Sequence, residues 1–352
     1  MGPTGPRLDV DLDALVRNAR RYAARVGVPL LPMVKADGYG LGAVPVVRAL
    51  EALGPFGFGV ASVAEAAVLR QAGIDRPIVT FQPMLPNAAA DHLAQQVRPV
   101  IGSLEALEAW VQRSDAPFHV EIDTGMGRSG FRWHETDQIE ALIGRLQASR
   151  GLEGVFTHFS TAEDASVTAE EWDRFQSVVA ALPVRPRLVH AANSAAAQWD
   201  RYAADLARPG IFLYGGVAGS LVPEPVAALR GVVHAVRPIR AGDPVSYGRT
   251  WRSDREAEVV TIGLGYADGV LRALGNAGEV AIGGHLYPVA GRVTMDMTMV
   301  VAEAGAVRVG ETATFFGREP DLDRQAARAG TISYELLTSV GHRVVRHYGA
   351  DR

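Results

Sequence analysis

The sequence predicts an α/β fold: a (β/α)8 TIM-like barrel followed by a mostly antiparallel β domain. Three observations carry this. Eight short apolar runs of strand length recur through the first 225 residues, with helical patterns between most of them. Near residue 225 the pattern changes to β-branched runs separated by glycine turns. The stretch LPMVKADGYGLG, residues 31–42, sets Lys35 at the end of the first apolar run, where a glycine-rich turn begins.

Residues 11–25 carry Leu12, Leu15, Val16, Ala19 and Tyr22 at helical spacing and read as a leading helix. Barrel strands are expected at 30–34, 56–60, 77–81, 98–101, 118–122, 155–158, 188–190 and 211–213. A helical pattern with Val44, Val47 and Leu50 follows the first, and further helices are expected at 63–71, 104–112, 138–147 and 172–181. Beyond the change of pattern, strands are expected at 230–236, 258–262, 279–282, 286–289, 297–301 and 312–316. The expected domains are 1–225 and 226–352, with residues 1–10 pairing with the second. No low-complexity linker separates them, so a fixed interface is expected.

Composition excludes several classes. The 352 residues are 48% hydrophobic and 21% charged, as in an ordinary soluble globular protein of one large or two medium domains, and a net charge of −4 gives no basis for binding nucleic acid or an anionic membrane. No apolar run is long enough to span a bilayer, and MGPTGPRLDVDLDAL has no hydrophobic leader, so the cytoplasm is the expected compartment. Zero cysteines exclude disulfides, thiolate metal sites and cysteine nucleophiles. The histidines show no metal-ligand spacing, so no metal is expected.

Lys35 is the only lysine; all the rest of the 35 lysines and arginines are arginine. Such a bias replaces lysine wherever a generic cation suffices. Arginine holds its proton, whereas an amine can lose one, attack a carbonyl and form a Schiff base. A lone surviving lysine therefore marks a chemical role.

Chemistry in such barrels gathers at the carboxyl ends of the strands, and the unusual residues fall there. Lys35 follows the first strand, Asp123–Arg128 the fifth and His190–Ser194 the seventh; His158 ends the sixth, and Arg208-Pro209-Gly210 leads into the eighth. Taken alone, Arg128 reads as a surface ion-pair partner and His158 as a core histidine. Asn193-Ser194 reads as a helix N-cap, either capping alone or offering amides to a phosphate. Gly210 lets backbone approach the same place. A Schiff-base lysine beside a phosphate cradle implies pyridoxal 5′-phosphate.

With these residues in hand the chain resembles the alanine racemase family of fold-type III pyridoxal-phosphate enzymes. The motifs are VKADGYG (34–40), DTGMGR (123–128), THF (157–159), NSA (193–195), RPGI (208–211), VSYG (245–248), GYADG (265–269), GRVTMD (291–296) and ISYE (332–335). They occur in family order along nearly the whole chain. The resemblance implies that Lys35 holds the cofactor, that Tyr39, Ser194, Gly210, Ile211 and Tyr334 hold its phosphate with Asn193 beside them, and that His158 packs near its ring. It implies Arg208 at the ring nitrogen, and Arg128 at the phenolic oxygen and the substrate carboxylate. It further implies a homodimer with shared sites. Tyr247 of one subunit would be the second base for its partner, and Tyr266, Met295 and Asp296 would line the entrance.

Racemisation supports that casting, because a proton must leave one face of Cα and another arrive on the opposite face. A single base tends to return the proton to the same face; Lys35 and Tyr247 are two different groups. An arginine opposite the ring nitrogen is always a donor, so it keeps that nitrogen unprotonated and weakens the electron sink. One departure stands out. Glu121 occupies the position where many relatives carry a carbamylated lysine, and an anion here is expected to act on Arg128 directly or through another group. The expected reaction is interconversion of L- and D-alanine, supplying D-alanine for peptidoglycan. Serine or broad-specificity racemisation and a non-catalytic pyridoxal-phosphate carrier are the alternatives; the second domain argues against the carrier, and bulky Tyr266 and Tyr334 favour a small substrate.

Overall fold

Proline breaks the first barrel strand. In the structure, a computed structural model describing residues 5–349, Leu30 and Met33 pair only as isolated parallel bridges, to Ala207 and Gly59. Pro29 and Pro32 between and beside them have no amide hydrogen to extend the ladder. Residues 1–4 of the expected pairing segment and 350–352 of the expected second domain lie outside the described residues.

Around the barrel, Phe58–Val60, Ile78–Pro83, Arg98–Ile101, Phe118–Asp123, Leu152–Phe156 and Leu188–His190 follow as parallel neighbours in that order. The ring closes through residues 205–209. The Asp205 amide donates to Val189 O at 2.9 Å, and Arg208 N to Ala192 O at 2.8 Å. On the other side Leu31 N donates to Ala207 O at 2.8 Å and Met33 N to Pro209 O at 2.9 Å. The eighth strand is therefore not 211–213 as the sequence suggested. Ile211–Tyr214 is a buried 3-10 turn. Three consecutive apolar residues carry no period, and the closing segment, holding Arg208 and Pro209, lacks the β-branched look of a strand.

The leading helix, Leu12–Val26, starts where the Asp11 carboxylate accepts the Ala14 amide at 2.8 Å and ends at left-handed Gly27. Ser62, Ser103 and Asp164 cap Val63–Gln71, Leu104–Val111 and Ala165–Ala181 in the same way. The last begins seven residues before its apolar stripe, on a polar face invisible to hydrophobic periodicity. Ala89–Ala94, a six-residue helix, is too short to show a period.

In the second domain the thirteen-residue strand Ala227–Ile239 is the spine. It pairs antiparallel with Arg7–Val10, Thr312–Phe316 and Ala257–Ile262. Thr298–Ala302 extends the sheet beside Ala257–Ile262, and Glu279–Ile282 turns into His285–Pro288 through Gly283 and Gly284, both at positive φ. Val345–Tyr348 runs parallel to Arg7–Val10, so the first and last described strands lie side by side in one sheet. A single buried apolar cluster joins Leu15 and Val47 of the barrel half to Leu229, Val260 and Leu337 of the other.

Candidate active site

Lys35 stands at the carboxyl end of the first strand, and the backbone beyond it is left-handed. Ala36, Asp37, Gly38, Tyr39 and Gly40 have φ of 52°, 52°, 62°, 56° and 82°. For a residue with a Cβ this costs about 1–2 kcal/mol, so the surroundings must impose it. The Ala36 amide donates to Glu65 Oε1 at 2.8 Å, and the other Glu65 oxygen accepts the Ala61 amide at 2.7 Å. Asp37 Oδ1 accepts from Ala43 N at 2.7 Å. From the second domain, Arg346 donates to Gly40 O at 3.1 and 3.2 Å and the Tyr348 hydroxyl to Leu41 O at 2.9 Å. The Leu337 carbonyl fills the space a Cβ on Gly40 would need. Sequence reading found the glycines but missed Glu65; its signal was the S-x-x-E spacing from Ser62 that marks a helix start.

Beside Lys35 lies a cavity, and most of the expected cofactor residues line it: Lys35, Tyr39, Arg128, His158, Asn193, Ser194, Arg208, Gly210 and Tyr334. Met33 and Phe81, not anticipated, complete the wall. Ile211 follows directly, buried. Tyr334 comes from the second domain, on Ser333–Thr338, so both halves build the cavity. Tyr247, Tyr266, Met295 and Asp296 do not line it. Tyr247 is 72% exposed, Tyr266 and Met295 are also exposed, and Asp296 accepts from Arg343 at 2.7 Å beside buried Asp268.

The lining is strongly cationic. Burial, then the nearby Arg128, lower the Lys35 pKa, against a smaller pull from Glu65. Burial together with Arg208, Arg128 and Lys35 holds His158 down to about 3, so its imidazole is neutral. Burial lowers Arg208 to about 10, still a cation at neutral pH. Its NH1 donates to His190 Nδ1 at 2.7 Å and its NH2 to Thr157 O and Ala191 O at 2.8 and 3.1 Å, with the Phe156 ring 5.0 Å beneath. Glu121, buried behind this group, accepts from Ser129 Oγ at 2.8 Å; burial raises its pKa against the opposing pull of Ser129, Arg128 and Arg208.

Opposite the amine, the hydroxyls cluster. Ser194 Oγ accepts the amides of Gly210 and Phe212 at 2.8 and 3.3 Å, which keeps its own proton available as a donor. The expected helix start here is only a 3-10 turn, Ala195–Gln198; Asn193 Oδ1 caps it through the Ala196 amide at 3.0 Å, and Ser194 makes no cap bond. Ser194 is thus committed to the Gly210 side, where the chain crosses from the closing strand. The Tyr39 ring stacks on Tyr214 at 4.3 Å, with Tyr334 tilted 6.0 Å away.

An amine poised for a carbonyl, facing hydroxyls and cations suited to a phosphate, fits a phosphorylated aldehyde. With the barrel and antiparallel domain around it, the class is that of the fold-type III pyridoxal-phosphate enzymes. The family models "Alanine racemase, N-terminal domain" and "Alanine racemase, C-terminal domain" match residues 10–218 and 226–348. The alanine racemase of Deinococcus radiodurans is 39% identical over 349 residues, covering 96% of this chain and 97% of its own. That of Carboxydothermus hydrogenoformans is 37% identical over 354 residues, covering 94% and 95%. The solved alanine racemase of Streptomyces coelicolor A3(2) superposes with a TM-score of 0.92 at 30% identity, covering 99% of this chain and 98% of that one. The chain belongs to the alanine racemase family and is an amino-acid racemase, an isomerase.

Proposed function

We propose that the chain interconverts L- and D-alanine with two bases, its own Lys35 and the partner subunit's Tyr247, in a homodimer with shared sites, supplying D-alanine for peptidoglycan in the cytoplasm. The observation that carries this reading is the division of the candidate bases. The sole amine lines the cavity, while Tyr247 lies exposed on the second domain of the same chain.

Pyridoxal 5′-phosphate, when bound, supplies an electron sink for the pair left on Cα. Lys35 would hold it covalently and, as a neutral amine, would take or return the proton on one face of Cα. Its burial and the Arg128 charge favour the neutral amine this needs. The partner subunit's Tyr247 serves the other face. Tyr39, Ser194, Tyr334 and the Gly210–Ile211 backbone would hold the phosphate, with Asn193 bracing that turn. His158, kept neutral, packs by the ring without adding charge. Arg208, bound on its far side to acceptors only, remains a donor toward the ring nitrogen.

Arg128 would take the substrate carboxylate and the phenolic oxygen. Glu121 acts on it through Ser129, its sequence neighbour, and through the field of a buried carboxylate, without carbamylation. Tyr266, Met295 and Asp296 line the entrance to the partner's site, which accounts for the exposure of Tyr266 and Met295 on a single chain.

Chiral chromatography of L-alanine incubated with the protein and pyridoxal phosphate, beside L-serine, tests the reaction; alanine is expected to racemise much faster. Lys35→Ala and Tyr247→Phe should each be nearly inactive, and mixing the two should restore activity through dimers holding one intact site. A silent mixture would refute the shared site, and faster turnover of serine would refute the substrate.

A further inference from the structure

Below Arg208 a line of side chains runs down the barrel interior to its opposite end. His190 ends its strand; His119 and Glu153 are the second residues of theirs, and Arg98 is the first of Arg98–Ile101. Arg208 NH1 lies 2.7 Å from His190 Nδ1, His190 Nε2 lies 2.9 Å from His119 Nδ1, and His119 Nε2 lies 3.3 Å from Glu153 Oε2. Arg98 Nε donates to the same Glu153 oxygen at 2.5 Å. Both histidines are fully buried. The line has room made for it: the His119 ring occupies the place of a Cβ on Gly154. The Phe156 ring stacks on His190 at 5.0 Å with its plane 16° away, fixing the imidazole's orientation.

A guanidinium can only donate. His190 Nδ1 must therefore accept, which puts the His190 proton on Nε2. That proton points at His119 Nδ1, which must also accept, so the His119 proton sits on Nε2 and points at Glu153. One permanent donor at the top and one anion at the bottom thus determine both tautomers. Burial and the neighbouring cations hold both histidines below their ordinary pKa, so they are neutral. Burial alone would raise the Glu153 pKa, but hydrogen bonds from His119 and Arg98 bring it to about 2, so it is an anion at neutral pH.

We propose that Glu153, His119 and His190 form a one-way hydrogen-bond chain that positions Arg208 in the active site from the far end of the barrel. Each bond polarises the next, so the Glu153 charge makes His119 Nδ1, and through it His190 Nδ1, a stronger acceptor for Arg208. None of the three touches the reacting atoms; they are positioning residues. The proposal rests on the reading that Arg208 faces the cofactor ring.

Side-chain ¹⁵N NMR of the histidine-labelled holoenzyme tests the chain directly. Both His190 and His119 are expected Nε2-protonated with bare Nδ1; an imidazolium or an Nδ1-protonated ring at either position overturns the proposal, whether or not any variant folds. In Glu153→Gln the His190 Nδ1 resonance is expected to move although residue 153 touches His119 and not His190, and kcat to fall ~10-fold with KM nearly unchanged. His119→Phe should lose as much, whereas His119→Gln, with an acceptor and a donor in sequence, should recover most of it. Equal losses in both His119 variants, or an unmoved His190 resonance, or an unchanged kcat in Glu153→Gln would each refute it. Arg208→Gln, measured alongside, separates the underlying reading: undiminished cofactor affinity and turnover there would refute Arg208 as the ring's partner irrespective of the tautomers.

Discussion

The hydroxyl of Tyr39 occupies the space into which a Cβ on Gly210 would project. Glycine is therefore required here by room. Because the Tyr39 ring is stacked on Tyr214, it cannot swing aside without losing that contact.

Gly210→Ala is therefore expected to displace the hydroxyl, weaken pyridoxal-phosphate binding at least tenfold and destabilise the fold by about 1–3 kcal/mol. Removing the hydroxyl as well, in Gly210→Ala/Tyr39→Phe, should recover part of the stability. Cofactor titration and thermal melts of the wild type, Gly210→Ala, Tyr39→Phe and the double variant check this, and strictly additive losses would contradict it.

The pH dependence of the cofactor-free protein should carry the signature of Lys35. Its folded pKa is lowered by burial and by Arg128. Between that value and the unfolded one of about 10.4, the unfolded chain binds the extra proton, so stability rises with pH across the window. Below it, the protonated amine weakens the folded state by a constant amount. Lys35→Met should be the more stable protein at neutral pH, with the gap closing as pH climbs through the window. Urea melts of both proteins over a pH series measure it; a pH-independent gap would count against the assignment.

Turnover should not respond to bicarbonate. The buried carboxyl group near Arg128 is that of Glu121, and Lys35 is the only amine side chain in the sequence. Glu121→Gln is expected to lower kcat/KM ~10-fold, and Ser129→Ala to lower it less. Activity that rises when bicarbonate is returned to a CO2-depleted preparation would show that a carbamate is at work.

Arg346 ties the second domain to the Lys35 turn. It donates to Gly40 O and also to Val340 O, Gly341 O and Val344 O. Arg346→Ala should cost about 3 kcal/mol and release the left-handed turn, lowering cofactor affinity as well as the melting temperature. Tyr348→Phe, which loses one bond to Leu41 O, should cost about 1 kcal/mol. Denaturant melts with and without cofactor separate the two effects.

Removing one base should leave half of the exchange chemistry. In Tyr247→Phe the interconversion of enantiomers is expected to fall about 10²–10⁴-fold, while solvent deuterium still enters the enantiomer whose proton faces Lys35. Proton NMR of each enantiomer in heavy water reads this; equal residual exchange from both would argue for a single base serving both faces.

Much of the cavity is legible in the sequence. Lys35, Arg128, His158 and Ser194 all follow or end strand-like runs, and strand ends converge in a barrel, whereas Arg208 and Gly210 were singled out ahead of an eighth strand that the structure places at their own segment. Less legible was what holds them. The left-handed residues Ala36, Asp37 and Tyr39 have no intrinsic preference for that region, and Ile211–Tyr214 looked like a strand because a short buried run has no readable period.

Residue chemistry by itself determined that one amine would be singled out, that the first half would be a barrel and the second an antiparallel sheet, and that no thiol would take part. Those conclusions depend on side-chain identity and local periodicity, which are properties of the chain. Only the tertiary structure decided that Glu65, Leu337 and Arg346 hold the Lys35 turn, and that Arg208 rests on His190, His119 and Glu153. Neighbouring barrel strands bring together side chains tens of residues apart, and the direction of each hydrogen bond exists only once donor and acceptor face each other.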